Sequence, residues 1–165
     1  MKNRIAVAAT LLAALLALPA CSTGPVDVSQ APEPAPAAPP TAVEVLSGDS
    51  LFAFGKASVE DFSPEGRQQL DALAGRLLLR PVASINVIGH SDRIGNDEAN
   101  RRLSLRRAEA VRDYLVDAGL DAGRMTLAGW GSEAPLVACE DERGEALVDC
   151  LAPNRRVEVR VRYAD

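Results

Sequence analysis

The sequence predicts an α+β domain, a small mixed sheet with helices packed mainly on one face, and three observations predict it. Strand-like and helix-like segments alternate from Leu51 to Ala128 in the order β-α-β-α-β. One long segment, Asp97 to Ala118, repeats apolar residues at helical spacing. A last segment sets Val157, Val159 and Val161 between charged residues, the period of a half-buried strand. Helices placed between strands require crossover connections, which lay them against the sheet.

Each element has its own signal. Folded chain is expected from about residue 47 to the end at 165, and Leu51-Phe52-Ala53-Phe54 suits a first strand. Ser63-Pro64-Glu65 opens a helix with an N-cap serine, proline at the first helical position and an acid in the first turn. Leu70, Leu73, Ala74 and Leu77 give that helix a core face, and Arg80-Pro81 ends it. Ala83 to Gly89 is rich in β-branched residues and reads as a strand. The long helix follows, with Gly119 at its C-cap and Leu120 beyond it. Met125 to Ala128 is a third short strand; Ala134 to Ala152 is irregular with one helical stretch, and the valine strand closes the domain.

Upstream of this domain the chain has a different character. Lys2 and Arg4 precede an apolar run from Ile5 to Leu18, the size of a signal-peptide core and short for a membrane span. Leu18-Pro19-Ala20-Cys21 resembles the lipobox of bacterial lipoproteins, which implies a leader over residues 1–20, acylation of Cys21 and anchoring in a lipid bilayer. Ser22 after that cysteine implies, by the same resemblance, sorting to the outer membrane with the domain in the periplasm. Residues 21–46 are dominated by proline, alanine and small polar residues, and read as a tether that extends at about 3.1 Å per residue.

The formal net charge is −5, and removing the leader takes two basic residues and no acids, leaving −7. An acidic chain of this kind argues against nucleic acid as a partner. Cys139 and Cys150 are a pair in an exported chain without a CxxC motif, and read as a disulfide. Closing so short a loop removes on the order of 3 kcal/mol of unfolded-state entropy.

The candidate site lies in Gly89 to Ala108, GHSDRIGNDEANRRLSLRRA. Arg107 shares a helix face with Asn100, Leu103, Ser104, Val111 and Leu115, so a cation is aligned with the apolar stripe. Such an arginine needs an anionic partner. Asp92, in the loop at a strand end, supplies one of two things. It is either the partner of an internal salt bridge or the opposite pole of a pocket for a zwitterion. His90, Ser91 and Asp92 hold triad residue types, but strand-end neighbours point to opposite faces and no nucleophile elbow is present. A single histidine is inadequate for zinc, and the acids at Asp97 and Glu98 fit a helix N-terminus better than a calcium loop. Neither catalysis, a metal nor a cofactor is expected. Trp130 reads as a partly buried structural aromatic, and Arg101, Arg102, Arg106 and Arg112 as a solvated face.

Residues 50–163 resemble the OmpA-like peptidoglycan-binding domain family. The family pattern TD-x2-G-x4-N-x2-LS-x2-RA-x2-V-x3-L is met by Asp92, Gly95, Asn100, Leu103-Ser104, Arg107-Ala108, Val111 and Leu115. Gly129-Trp130-Gly131, Pro135 and Asn154-Arg155-Arg156-Val157 continue it, and the cysteine pair is more like the OmpA C-terminal-domain branch than the Pal branch. The resemblance implies an OmpA-like fold and a ligand, the diaminopimelate of peptidoglycan stem peptides. Asp92 would take its ammonium and Arg107 its carboxylate. Asn100 would add hydrogen bonds, Arg155 and Arg156 would support the carboxylate or nearby peptide, and the Phe52 to Gly55 turn would line the other wall. Ser91 stands for the usual threonine, and Ala53 and Gly55 where the family often has Asp or Asn, which leaves that turn only backbone contacts. The function implied is a lipid-anchored tie between outer membrane and cell wall; the alternative is a Pal-like module that binds envelope proteins of a Tol-type complex.

Overall fold

The computed structural model describes residues 41–52 and 56–164. The leader, Cys21, most of the tether and residues 53–55 of the Phe52 to Gly55 turn lie outside these residues. Four strands form one mixed sheet: β1 (Thr41–Ser47), β2 (Val82–Gly89), β3 (Met125–Gly129) and β4 (Arg156–Tyr163), in the order β1-β4-β2-β3. β4 runs antiparallel to both β1 and β2, while β2 and β3 are parallel. Four helices accompany them: α1 (Gly48–Leu51), α2 (Pro64–Leu78), α3 (Asp97–Asp117) and α4 (Gly144–Cys150).

The first strand departs from expectation. The chain expected to be tether up to residue 46 is already paired at Thr41, with Leu46 opposite Val157 and Ala42 opposite Val161. Its alternation is inverted: Val43 and Val45 are exposed, while Glu44 turns towards α2 and pairs with Arg76 at 3.1 Å. Pairing with β4, more than 100 residues later, makes this segment a strand. Leu51, expected in the first strand, instead ends α1, and Phe52, expected there too, makes an isolated bridge to Phe62. Both are buried, and Phe52 stacks on Phe62 with centroids 4.8 Å apart.

The helices follow their local signals. Ser63 Oγ accepts from Gly66 N at 2.8 Å at the start of α2, and Leu70, Leu73, Ala74 and Leu77 enter the core. Asn96 caps α3 by accepting from Ala99 N at 3.1 Å, with Asp97 and Glu98 in the first turn. Gly119 ends it at φ +107°, and Leu120 behind it is buried. The core lies between α2, α3 and the sheet face that carries Ile85, Val87, Val157, Val159 and Val161. β2 and β3 end in glycine because α3 crosses directly over them. A Cβ on Gly89 would lie 1.9 Å from the Ser104 carbonyl oxygen, and one on Gly129 2.6 Å from Leu105. That close approach sets the distance between α3 and the loop after β2.

The other sheet face is polar and partly buried. There the Glu158 carboxylate accepts from Arg156 at one oxygen (2.9 and 2.7 Å) and from Arg160 at the other (3.0 and 2.7 Å). The His90 ring is 1% exposed, lies edge-on to Trp130 at 5.5 Å, and holds Nε2 3.4 Å from Glu158. Burial pushes its pKa down to about 4, and the nearby Arg156 adds to this against the pull of Glu158. His90 is therefore a neutral packing residue.

Because its folded pKa lies below the unfolded value of 6.5, the unfolded chain takes up the proton first as pH falls. Stability is predicted to drop between pH 6.5 and about 4, by up to about 3 kcal/mol from this residue. Urea unfolding near neutral pH and near the lower limit should show a smaller drop for His90→Gln than for wild type.

Candidate functional site

The loop after β2, the face of α3, the α1 turn, α4 and the first residues before β4 meet around a cavity of about 200 Å³. Asp92, Asn100, Arg107 and Arg155 line it, together with Asp49, Ser91, Leu103 and Val148. Four of the five residues expected to bind ligand are thus brought together.

The fifth, Arg156, is not among them. Arg155 and Arg156 are neighbours where the chain enters β4, so their side chains leave on different sides. Arg156 is 4% exposed, held by Glu158 and by the Ala134 carbonyl oxygen at 3.3 Å, on the polar sheet face. It thus lies apart from the cavity where it had been expected.

Arg155 is more engaged than the sequence implied. Its Nε and Nη2 fork onto Asp49 at 2.7 to 3.0 Å, and its Nη1 reaches Asp92 Oδ2 at 2.9 Å and the Val148 carbonyl oxygen at 2.9 Å. The hydrogen bonds it donates to Asp49, then to Asp92, raise its pKa further above the ordinary arginine value against the opposing effect of burial. Asp92 Oδ1 also accepts from Ile94 N at 3.0 Å, which closes the loop on itself. A carboxylate offers about four lone-pair positions, so two donors leave Asp92 able to accept from an ammonium as well. Asn100 supports the same loop: its Nδ2 donates to the carbonyl oxygens of Asp92 and Ile94, both at 3.1 Å. Those donors position Asp92.

Arg107 stands opposite. It is 4% exposed, its Nε donates to the Lys56 carbonyl oxygen at 3.1 Å, and its guanidinium carbon lies 5.3 Å from the Phe52 ring centroid. Among the described residues it forms no ion pair. Burial pulls its pKa below the ordinary arginine value, and Arg155 adds to this, with Asp49 and Asp92 opposing from a distance. The internal salt bridge considered for Asp92 and Arg107 is not the one formed. Arg155 takes Asp92, and Arg107 lines the same cavity as a buried cation without an ionic partner among the described residues.

Sequence reasoning missed Asp49 and Val148. Asp49 sits in Gly48-Asp49-Ser50, and reaches the site because Gly48 N donates to the Arg155 carbonyl oxygen at 2.7 Å, next to the β1–β4 pairing. An acid between small residues just before an apolar run was the available signal. Val148 arrives on α4, inside the segment between Cys139 and Cys150, whose sulfurs are joined at 2.10 Å. Those cysteines and Glu142 are the one grouping of potential metal ligands among the described residues, and two of its three ligand atoms are bonded to each other. Trp130 packs on His90 away from the cavity, with Arg160 over its ring at 5.5 Å.

The model of the OmpA family matches residues 51–147. Outer membrane protein A of Shimwellia blattae is 44% identical over 122 residues, which cover 71% of this chain and 49% of that protein. Outer membrane protein A of Yersinia pseudotuberculosis serotype I is 44% identical over 138 residues, 80% of this chain and 38% of its own length. The chain thus spans half or less of these relatives. Among solved structures, the cell wall anchor of the T6SS from Pseudomonas aeruginosa aligns with TM-score 0.62 and 30% identity, over 75% of this chain and 82% of that one. The peptidoglycan-associated lipoprotein from Burkholderia pseudomallei aligns with TM-score 0.57 and 26% identity, over 72% and 89%.

Removing the Arg155 fork leaves two carboxylates without their cation. Arg155→Ala is predicted to cost about 2 kcal/mol in urea unfolding, and Arg155→Lys to restore only part of it, because an ammonium cannot serve both acids in the same geometry.

Proposed function

We propose that this chain, which belongs to the OmpA family, binds peptidoglycan noncovalently through the diaminopimelate of its stem peptides. The family is non-enzymatic. The observation that carries the reading is the pairing pattern of the cavity: Arg107 is buried without an ionic partner among the described residues, while Asp92 is held across the same space by Arg155. The free end of diaminopimelate carries an ammonium and a carboxylate. The carboxylate meets Arg107 and relieves a buried cation, and the ammonium meets Asp92 with Asp49 behind it. Proteins with names of the same kind support the ligand class: the Pseudomonas aeruginosa neighbour is a cell wall anchor and the Burkholderia pseudomallei neighbour is peptidoglycan-associated.

The same proposal places the protein at the outer membrane, with the domain in the periplasm, anchored through acyl chains on Cys21 after removal of residues 1–20. Cys139 and Cys150 are paired in that oxidising compartment. The chain then ties membrane to wall, and modest affinity per site is enough because the polymer repeats and the anchor keeps the domain close. A Tol-type envelope partner is a second reading, favoured by the likeness to the Burkholderia pseudomallei lipoprotein alone.

Asp92→Ala and Arg107→Ala are each predicted to lower co-sedimentation with purified sacculi by tenfold or more, the cost of about one charge-assisted hydrogen bond. Free diaminopimelate is expected to compete with the wild type. Folded variants that still co-sediment like wild type would overturn the assigned pocket.

A further inference from the structure

A larger cavity, about 530 Å³, lies on the other side of Ser91, which lines both. Its far wall is the segment closed by Cys139 and Cys150. Val137 and Leu147 give that wall an apolar floor, while Arg93 and Arg143 bring two cations against the single acid Glu140. The wall is held in place from the loop that carries Asp92: Arg93 Nη2 donates to the Cys139 carbonyl oxygen at 3.1 Å. Asn154 fixes the floor, accepting from Leu136 N and Val137 N at 2.7 and 3.0 Å and donating to the Val137 carbonyl oxygen at 2.8 Å. Arg143 is exposed and is steadied by the carbonyl oxygens of Glu140 and Glu142 at 2.7 and 2.6 Å.

We infer that this second cavity is a subsite for the acidic residue that precedes diaminopimelate in the stem peptide, with Arg143 meeting its free carboxylate. The inference rests on the diaminopimelate reading of the first cavity. Continuity decides the occupant: a peptide whose end lies between Asp92 and Arg107 must leave that space past its walls, and Ser91 opens onto a neighbouring hollow of suitable size. The excess of positive charge selects an anion, and the apolar floor suits the methylenes of an acidic side chain better than a sugar face.

Titration calorimetry with two ligands tests it, free diaminopimelate and the sugar-free stem tripeptide that ends in diaminopimelate. Wild type is expected to bind the tripeptide about tenfold more tightly than the free amino acid. Arg143→Glu, at an exposed position, should remove that advantage and leave the affinity for free diaminopimelate unchanged. Val137→Trp, which fills the hollow, should do the same through bulk. The subsite is overturned if wild type binds both ligands equally, or if the tripeptide keeps its advantage over free diaminopimelate in both variants. Failure of wild type to bind either ligand would overturn the diaminopimelate reading together with the subsite.

Discussion

Arg155 draws three distant parts of the chain to one point: Asp49 from the turn after β1, Asp92 from the loop after β2, and the Val148 carbonyl from α4. It does so from the first residues before β4, the strand that pairs with both β1 and β2. The consequence reaches beyond cohesion. Arg155 engages both acids, and a second guanidinium, Arg107, is buried without an ionic partner among the described residues. Isolated buried cations are costly, and a site that carries one is poised to accept a carboxylate.

Four charged groups, Asp49, Asp92, Arg107 and Arg155, line the cavity, and their charges cancel. A ligand head with separated charges and no net charge preserves that balance. A simple cation or anion would leave one pole unanswered. The cell-wall reading therefore depends less on any single contact than on this opposition, set by how closely α3 rides over Gly89 and Gly129.

What was legible in the chain beforehand was what local chemistry dictates. The long helix could be read from its periodicity, its acidic N-terminus and its terminal glycine, because each acts within a turn or two of the residue that carries it. Arg107 was legible through spacing along one helix face, Asp92 through its place in a loop at a strand end, and both through family resemblance. β1 was not, since its valines face outward and only β4 makes it a strand. Asp49 was hidden for the same reason. Arg155 and Arg156 looked like one unit in sequence, yet one supports the cavity and the other buries itself against Glu158, a division that only the strand's alternation reveals.

The most direct measurement compares wild-type binding of two otherwise identical stem tetrapeptides, one with diaminopimelate and one with lysine at that position. The two differ by a terminal carboxylate that only the first carries, while both present an ammonium. If Arg107 awaits that carboxylate, the lysine peptide binds at least tenfold more weakly. Equal affinities would contradict the account, because the buried cation across from Asp92 would then have no part in recognition.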